Sequence, residues 1–311
     1  MKKILLATTI LAASAGYASA EITWAGSAAM GVAQNGTANG GSANTATHGS
    51  GAVIADGAFA SYSSANLAVT FAGESDSGLT FGATFDTTVG RSYTLGDGDA
   101  FANEGGAFGG PEVFVSGAFG KVSVKSDGYG FYHNDDDGID QGDVKYEGTF
   151  NAFSVGIVAD VEAMVTVGDL GSNNSLHLGY AANKITAGLN YDDNGDYDVN
   201  VGYALGTFTV SLGHDVTGAV TANSIKGAFD NGNGITASLE LTDDSTVMST
   251  DVTAGYAKGA MAVNLEYGTD DDAASVDTWT LTGSYDLGGG LSIEAGTNYT
   301  EDMMIGAKMT F

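Results

Sequence analysis

Alternation of apolar and polar residues with a period of two runs through most of the chain after residue 20. In the segment 207–213, phenylalanine, valine and leucine share one face, and the residues between them are threonine, serine and glycine. The segments 197–204 and 291–299 show the same pattern. Because successive side chains of a β-strand point to opposite sides of the sheet, each segment predicts a strand with one apolar and one polar face.

Three features favour a membrane barrel over the soluble β-sandwich that alternation alone would also allow. The apolar face carries almost no charge, and the opposite face is mainly Gly, Ser, Thr, Asn and Asp. Aromatic residues stand at the segment ends, at Tyr180, Tyr191, Tyr203, Tyr256, Tyr267, Tyr285 and Tyr299. Aromatic girdles beside an apolar band are typical of transmembrane β-barrels, whose sheets must close so that every backbone group is paired.

The connections between these segments give the strand count. Short turns rich in Gly and Asn recur at 74–78, 117–120, 150–153, 180–183, 203–206, 229–234, 256–259 and 285–290. Longer, acidic connections lie between some of them, at 35–62, 89–110, 126–142 and 268–275. Short turns face the periplasm in bacterial barrels, and long loops face outside. Eight short turns with both termini on their side (2 × 8 + 2) predict an all-β, transmembrane antiparallel up-and-down β-barrel of 18 strands.

The first twenty residues predict a cleaved secretory signal peptide. Lys2 and Lys3 precede a short apolar run, and Ala18-Ser19-Ala20 provides the small residues of a cleavage site. The apolar run is too short for the alternative, an N-terminal membrane anchor. We therefore expect residues 1–20 to be removed and residues 21–311 to form a single outer-membrane β-barrel domain.

The composition agrees with an exported β protein. The chain has 48 glycines, which disfavour helices, and a single proline, which leaves strand ladders almost uninterrupted. It has no cysteine, so no disulfide can stabilise it. A formal charge of −28 argues against nucleic acid as a partner, because phosphate binding needs a basic surface. A hydrophobic content of 43% argues against disorder.

Several hairpins resemble those of one known family, the general diffusion porins of alphaproteobacterial type, which are outer-membrane porins of Gram-negative bacteria. The resembling segments are SDSGLTFGATF (75–85), SGAFGKVSV (116–124), AFSVG (152–156), SYDLGGGLSI (284–293), EITWAGSAAMGV (21–32) and the final Phe311. The resemblance implies an outer-membrane homotrimer of water-filled barrels for passive diffusion of ions and small hydrophilic solutes. It also implies an inward-folded third external loop whose acidic residues face a basic cluster on the wall.

The chain departs from this family in three respects. The family's barrels have 16 strands, which is the alternative to the count of 18, and both are even numbers as bacterial barrels require. The family's third external loop is long, whereas the corresponding segment 126–142 is short. Ser64 and Asn66 stand where the family carries basic residues, and Arg91 is the only arginine of the chain.

Charged residues on the polar strand faces are predicted to line the pore. Channel water solvates them there, whereas Lys or Arg facing lipid at the membrane midplane costs about 2–4 kcal/mol. The predicted pore wall consists of Lys121, Lys125, Lys145, Glu147, Asp160, Glu162, Glu240, Glu266, Glu294 and Lys308. The excess of carboxylates predicts a cation preference that weakens at high salt. The alternative is that the loop acids only solvate the outer rim.

The acidic stretch 133–140 in the third external loop is the predicted pore constriction. Asp135, Asp136, Asp137 and Asp140 would form an acidic clamp inside the barrel. An exposed loop tip too short to reach the pore is the alternative.

The sequence indicates neither a catalytic site nor a resident cofactor. No nucleophile–base pattern is present, and four histidines show no metal-ligand spacing: His48, His133, His177 and His214. The oxygen-rich segments 96–100 and 191–198 keep loop-bound Ca²⁺ open as an alternative, although neither has the EF-hand spacing. The competing function classes are a solute-selective outer-membrane channel and a secreted calcium-binding β-roll, whose tandem repeats are absent.

The chain ends on the alternating segment MMIGAKMTF, which predicts the last strand. Lys308 is expected to face the lumen, while Ile305, Met309 and Phe311 face the lipid bilayer. This strand must pair with the first one, or both edges stay unpaired in the membrane. The terminal Phe311 resembles the C-terminal signal that outer-membrane assembly machinery recognises, and an anchor at the membrane interface would use the same orientation.

Overall fold

The computed structural model describes residues 21–34, 55, 57–95, 101–133, 142–161, 174–272 and 275–311. All regular structure in these ranges is β, and none of their segments is a helix long and apolar enough to cross a bilayer. The strands are β1 (Glu21–Gln34), β2 (Phe59–Glu74), β3 (Thr80–Tyr93), β4 (Phe101–Phe108), β5 (Glu112–Gly117), β6 (Gly120–Tyr129), β7 (Gly142–Phe150), β8 (Phe153–Ala159), β9 (Asn174–Ala182), β10 (Ile185–Asp192), β11 (Tyr197–Leu205), β12 (Phe208–Thr217), β13 (Val220–Asp230), β14 (Ile235–Asp243), β15 (Met248–Lys258), β16 (Met261–Asp270), β17 (Thr278–Gly288), β18 (Leu291–Asn298) and β19 (Met303–Thr310).

These segments fill 18 positions of one closed antiparallel barrel, because β4 and β5 are two halves of one strand. Both halves pair with β3. β4 pairs with its last part, residues 87–93, and β5 pairs with its first five residues, 80–84. The break falls at 109–111, where the Gly109 N–H donates to the Asp86 carbonyl at 3.0 Å and Pro111 has no N–H to donate. Pairing of β1 with β19 closes the barrel. The count of 18 strands is therefore confirmed, and the family alternative of 16 is wrong.

All eight predicted short turns lie at one end of the barrel, between consecutive strands. Positive φ angles at Asn183 (58°) and Gly206 (73°) show why Asn and Gly recur there.

The connections at the other end are shorter than the sequence predicted. The predicted loop 89–110 is mostly strand, because β3 continues to Tyr93 and β4 occupies 101–108. Their pairing is supported by the edge-to-face contact of Tyr93 and Phe101, whose ring centroids lie 4.9 Å apart. Four further connections at this end are tight turns, at 193–196, 218–219, 244–247 and 299–302.

The two faces of the wall differ as the alternation predicts. Large apolar side chains are exposed on the outer face, including Trp24 (63%), Leu212 (57%) and Ile305 (60%). Residues paired across neighbouring strands have side chains on the same face of the wall. Because side chains alternate along a strand, the residues next to these outward positions in the sequence point into the barrel.

Few side chains are buried apolar, because the barrel encloses a lumen rather than a packed core. The largest cluster lies on the inner wall and combines Ala33, Tyr62 and Phe101. A Cβ on Gly306 would stand 2.1 Å from the Tyr62 hydroxyl, so this contact requires glycine at that position.

Candidate functional site

The barrel interior collects the charged residues of the polar strand faces. Register places Lys121, Lys125, Lys145, Glu147, Glu240, Glu266, Glu294 and Lys308 on the inner face. Asp160 follows the external end of β8, and Glu162 lies outside the described residues. The interior is therefore a polar lumen enclosed by an apolar outer face.

The inner-face lysines are concentrated in one sector, on β6 and β7. Lys145 Nζ lies 2.9 Å from Glu147 Oε1, and Lys121 forms an ion pair with Glu112. On β13, Lys226 Nζ lies 2.9 Å from Glu240 Oε2. These ion pairs neutralise much of the positive charge on the inner wall.

An acidic sector lies across the lumen, on β15 to β18. Asp251, Glu266 and Glu294 face inward there, and none has an ion-pair partner within 4.0 Å among the described residues. Glu266 Oε1 accepts a hydrogen bond from Asn264 Nδ2 at 2.8 Å, which orients the carboxylate without neutralising it. The described lumen thus carries net negative charge.

The basic residues do not come from the strand that the family resemblance implied. On β2, Ser64 and Asn66 face inward, and Asn66 Nδ2 donates to Thr88 Oγ1 at 2.9 Å. Arg91 lies near the external end of β3, with its guanidinium 4.8 Å from the centre of the Phe101 ring. The basic sector is instead built from β6 and β7.

The described beginning of the third external connection, residues 130–133, enters the barrel. The Tyr132 N–H donates to Ser175 Oγ at 2.8 Å, and the Tyr132 ring lies 5.3 Å from that of His177 on β9. A Cβ on Gly156 would stand 2.1 Å from the Tyr132 hydroxyl, so the ring occupies space that only glycine leaves free. Lys145 Nζ lies 5.5 Å from the same ring. Tyr132 is therefore held against the inner wall.

His133, the first residue of the predicted constriction, is 3% exposed inside the barrel. Its imidazole lies between Asp192 at the end of β10 and Asp215 on β12. The predicted clamp residues Asp135, Asp136, Asp137 and Asp140 lie outside the described residues.

A second segment also folds inward, and the sequence did not predict it. Leu95, after β3, approaches Gly296 on β18 so closely that a Cβ there would stand 2.6 Å from Leu95 Cδ2. A cavity of about 320 Å³ separates Leu95 from Asp251, Thr253 and Glu266 of the acidic sector. In the sequence, the only sign that this segment folds inward is the pair of apolar residues Tyr93 and Leu95, which lie in the predicted acidic loop 89–110.

Replacement of Tyr132 by alanine tests whether the third connection narrows the lumen. We expect Tyr132→Ala to raise single-channel conductance in planar bilayers, because it removes a ring from the barrel interior. Tyr191→Ala is the matched control, since Tyr191 is on the outer face and 42% exposed. Equal conductance of the two variants would contradict a narrowing role.

Sequence and structure comparisons place these features among known proteins. The profile of the family described as Gram-negative porin matches residues 7–303. No curated protein shows significant similarity. Similar solved structures include two triple mutants of the porin of Rhodopseudomonas blastica, at 16% and 15% sequence identity. Each has a TM-score of 0.55 and covers 93% of this chain and 100% of its own.

Proposed function

Because the chain belongs to the Gram-negative porin family, we propose that its barrel is a cation-preferring channel for passive diffusion of ions and small hydrophilic solutes. Family and fold support an outer-membrane porin channel without catalytic chemistry. The observation that supports the ion preference is the acidic sector of Asp251, Glu266 and Glu294, which lacks ion-pair partners among the described residues. Carboxylates lining a pore raise the local concentration of cations and repel anions.

External carboxylates add to this negative charge. In the turn 244–247, hydrogen bonds from the Thr246 hydroxyl and the Val247 N–H lower the pKa of Asp244. At 277, hydrogen bonds from the hydroxyls of Thr269 and Tyr267 lower the pKa of Asp277. A lowered pKa keeps both carboxylates charged at acidic pH values where an ordinary aspartate begins to take up a proton.

Reversal potentials across planar bilayers in a salt gradient test the ion preference. We expect cation preference near 0.1 M salt and a weaker one near 1 M, because the Debye length falls from about 10 Å to about 3 Å. The double variant Asp251→Asn/Glu266→Gln should reduce the cation-to-anion permeability ratio by about twofold or more, since it removes two inward charges.

Asp244→Asn is the control for this measurement, because it removes a charge from the external turn and leaves the lumen unchanged. Anion preference of the native channel would contradict the proposal. A larger effect of Asp244→Asn than of the double variant would assign the preference to the rim.

Liposome swelling with sugars of increasing size separates general diffusion from a solute-selective channel. A smooth fall of rate with solute size supports general diffusion. A rate for one sugar far above that of others of equal size supports the selective alternative.

We also propose that the protein is exported by cleavage after Ala20 and assembles as a homotrimer. The trimer rests on the family resemblance, with support from the exposed Ser61 and Ser63, which put hydroxyls on the otherwise apolar outer face of β2. Lipid-exposed faces of barrels are apolar, so hydroxyls there fit a contact between subunits. The molar mass of the detergent-solubilised protein and the N-terminal residue of the purified chain test these proposals.

A further inference from the structure

The turn that joins β10 and β11 meets the third connection inside the barrel. Asp192 ends β10 and is 3% exposed, and Asp196 closes the turn. His133 reaches this turn from the other side and is equally buried. One nitrogen of His133 and one oxygen of each aspartate all lie within 4.8 Å of one another.

The His133 imidazole is oriented so that one nitrogen is left free. Its Nε2 lies 3.0 Å from Asp215 Oδ2. With the ring hydrogen on Nε2, that nitrogen donates to the carboxylate, and Nδ1 keeps its lone pair. Among the residues that the structure describes, buried Nδ1 has no hydrogen-bond partner, and it lies 3.6 Å from Asp192 Oδ2. A carboxylate that holds the far N–H of an imidazole is the usual support of a metal-binding histidine.

Both aspartates are held by backbone groups through one oxygen only. Asp192 Oδ1 accepts the N–H groups of Asn194 and Asp196, at 2.9 and 3.3 Å. Asp196 Oδ1 accepts the N–H of Gly218 at 2.6 Å. Among the described residues, each carboxylate therefore has its second oxygen available for a further ligand.

The charge of this group is not balanced by the residues around it. His133 is the only ion-pair partner within 4.0 Å of Asp192 in the described part of the chain. A buried carboxylate without a cation is costly, so the group favours a bound positive charge.

We propose that His133 Nδ1, Asp192 and Asp196 bind one divalent transition-metal ion of the Zn²⁺ type. His133 Nδ1 and Asp192 Oδ2 lie 3.6 Å apart. If both bound one ion at about 2.1 Å, the angle between them at the ion would be about 120°, which suits a four-coordinate site. Ca²⁺ and Mg²⁺ prefer oxygen ligands alone, so the imidazole favours Zn²⁺ over the Ca²⁺ considered for 191–198. Asp215 is a positioning residue that sets the tautomer.

The site would join the third connection to the β10–β11 hairpin. His133 contributes a ligand only while its imidazole lies inside the barrel, so the bound ion would hold His133 beside this hairpin. Binding is a property of the folded chain, and it is measured independently of the channel activity proposed above.

Titration calorimetry of metal-stripped, detergent-solubilised protein with Zn²⁺ tests the site. We expect one ion per chain, with affinity at least 100-fold lower in His133→Ala and roughly 10–100-fold lower in Asp215→Asn. The control is His214→Ala, because His214 bonds Asn223 at 2.8 Å and lies outside the group. Ca²⁺ at equal concentration should not compete.

Heat-modifiable migration in electrophoresis establishes that each variant is folded, and His133→Gln replaces His133→Ala if the latter does not fold. Absence of Zn²⁺ binding by the native protein overturns the proposal. Unchanged binding by the folded His133 variant overturns it as well.

Discussion

Leu265→Lys is expected to lower the free energy of unfolding of the barrel by about 2–4 kcal/mol, whereas Asn264→Lys, at the adjacent position, is expected to leave it nearly unchanged. Leu265 is at the centre of β16, is 40% exposed on the outer face and pairs with Ala254 and Leu281. Its replacement would put an ammonium group into lipid near the midplane. At Asn264, channel water and the neighbouring Glu266 solvate the same group.

Equilibrium unfolding by guanidinium in lipid vesicles measures this difference. The two variants introduce the same side chain at adjacent residues of one strand, so the new residue and the change in net charge are matched. Asn264→Lys should also weaken the cation preference, because it adds a positive charge to the acidic sector. Equal destabilisation of both variants, or a larger loss for Asn264→Lys, would contradict the assignment of faces.

We expect deletion of Phe311 to reduce greatly the amount of assembled barrel in cells and to change little the conductance of the channels that do assemble. The Phe311 N–H donates to the Gly26 carbonyl at 3.0 Å, and its carbonyl accepts the Gly26 N–H at 2.8 Å. Loss of two such hydrogen bonds costs only about 1–3 kcal/mol in total. The ring is 68% exposed on the outer face, so a partner that reads the end of the chain could contact it.

Assembly is measured as the heat-modifiable band in outer-membrane fractions, and conductance is measured on protein refolded in detergent. Phe311→Tyr keeps an aromatic ring and serves as the control. Normal assembly of the deletion variant would contradict a signal role. An equal loss of refolded protein would assign the defect to stability at the β1–β19 pairing.

The strand count was predictable because its signals are local. Positions such as Asn183 and Gly206 mark each turn by the φ angle they adopt, and alternation marks each strand. The paths of the inward segments were not predictable in this way. His133 meets Asp215, 82 residues further along the chain, and Leu95 meets Gly296 on β18, which the closed sheet separates from β3 by β2, β1 and β19. No periodicity encodes such contacts, because they depend on which strands come near one another once the barrel has closed.

The β1–β19 pairing also differs from the other strand pairs in how far apart its partners lie along the chain. Nearly every other pair joins neighbours in the chain, as β12 and β13 do across the turn 218–219. Ser27 pairs with Thr310, so nearly all the strands lie between these two residues along the chain. By loop-closure entropy, this contact costs roughly 4 kcal/mol more than a hairpin turn. We therefore expect hairpins to form before the barrel closes, and closure, the step of highest contact order, to be the slow one.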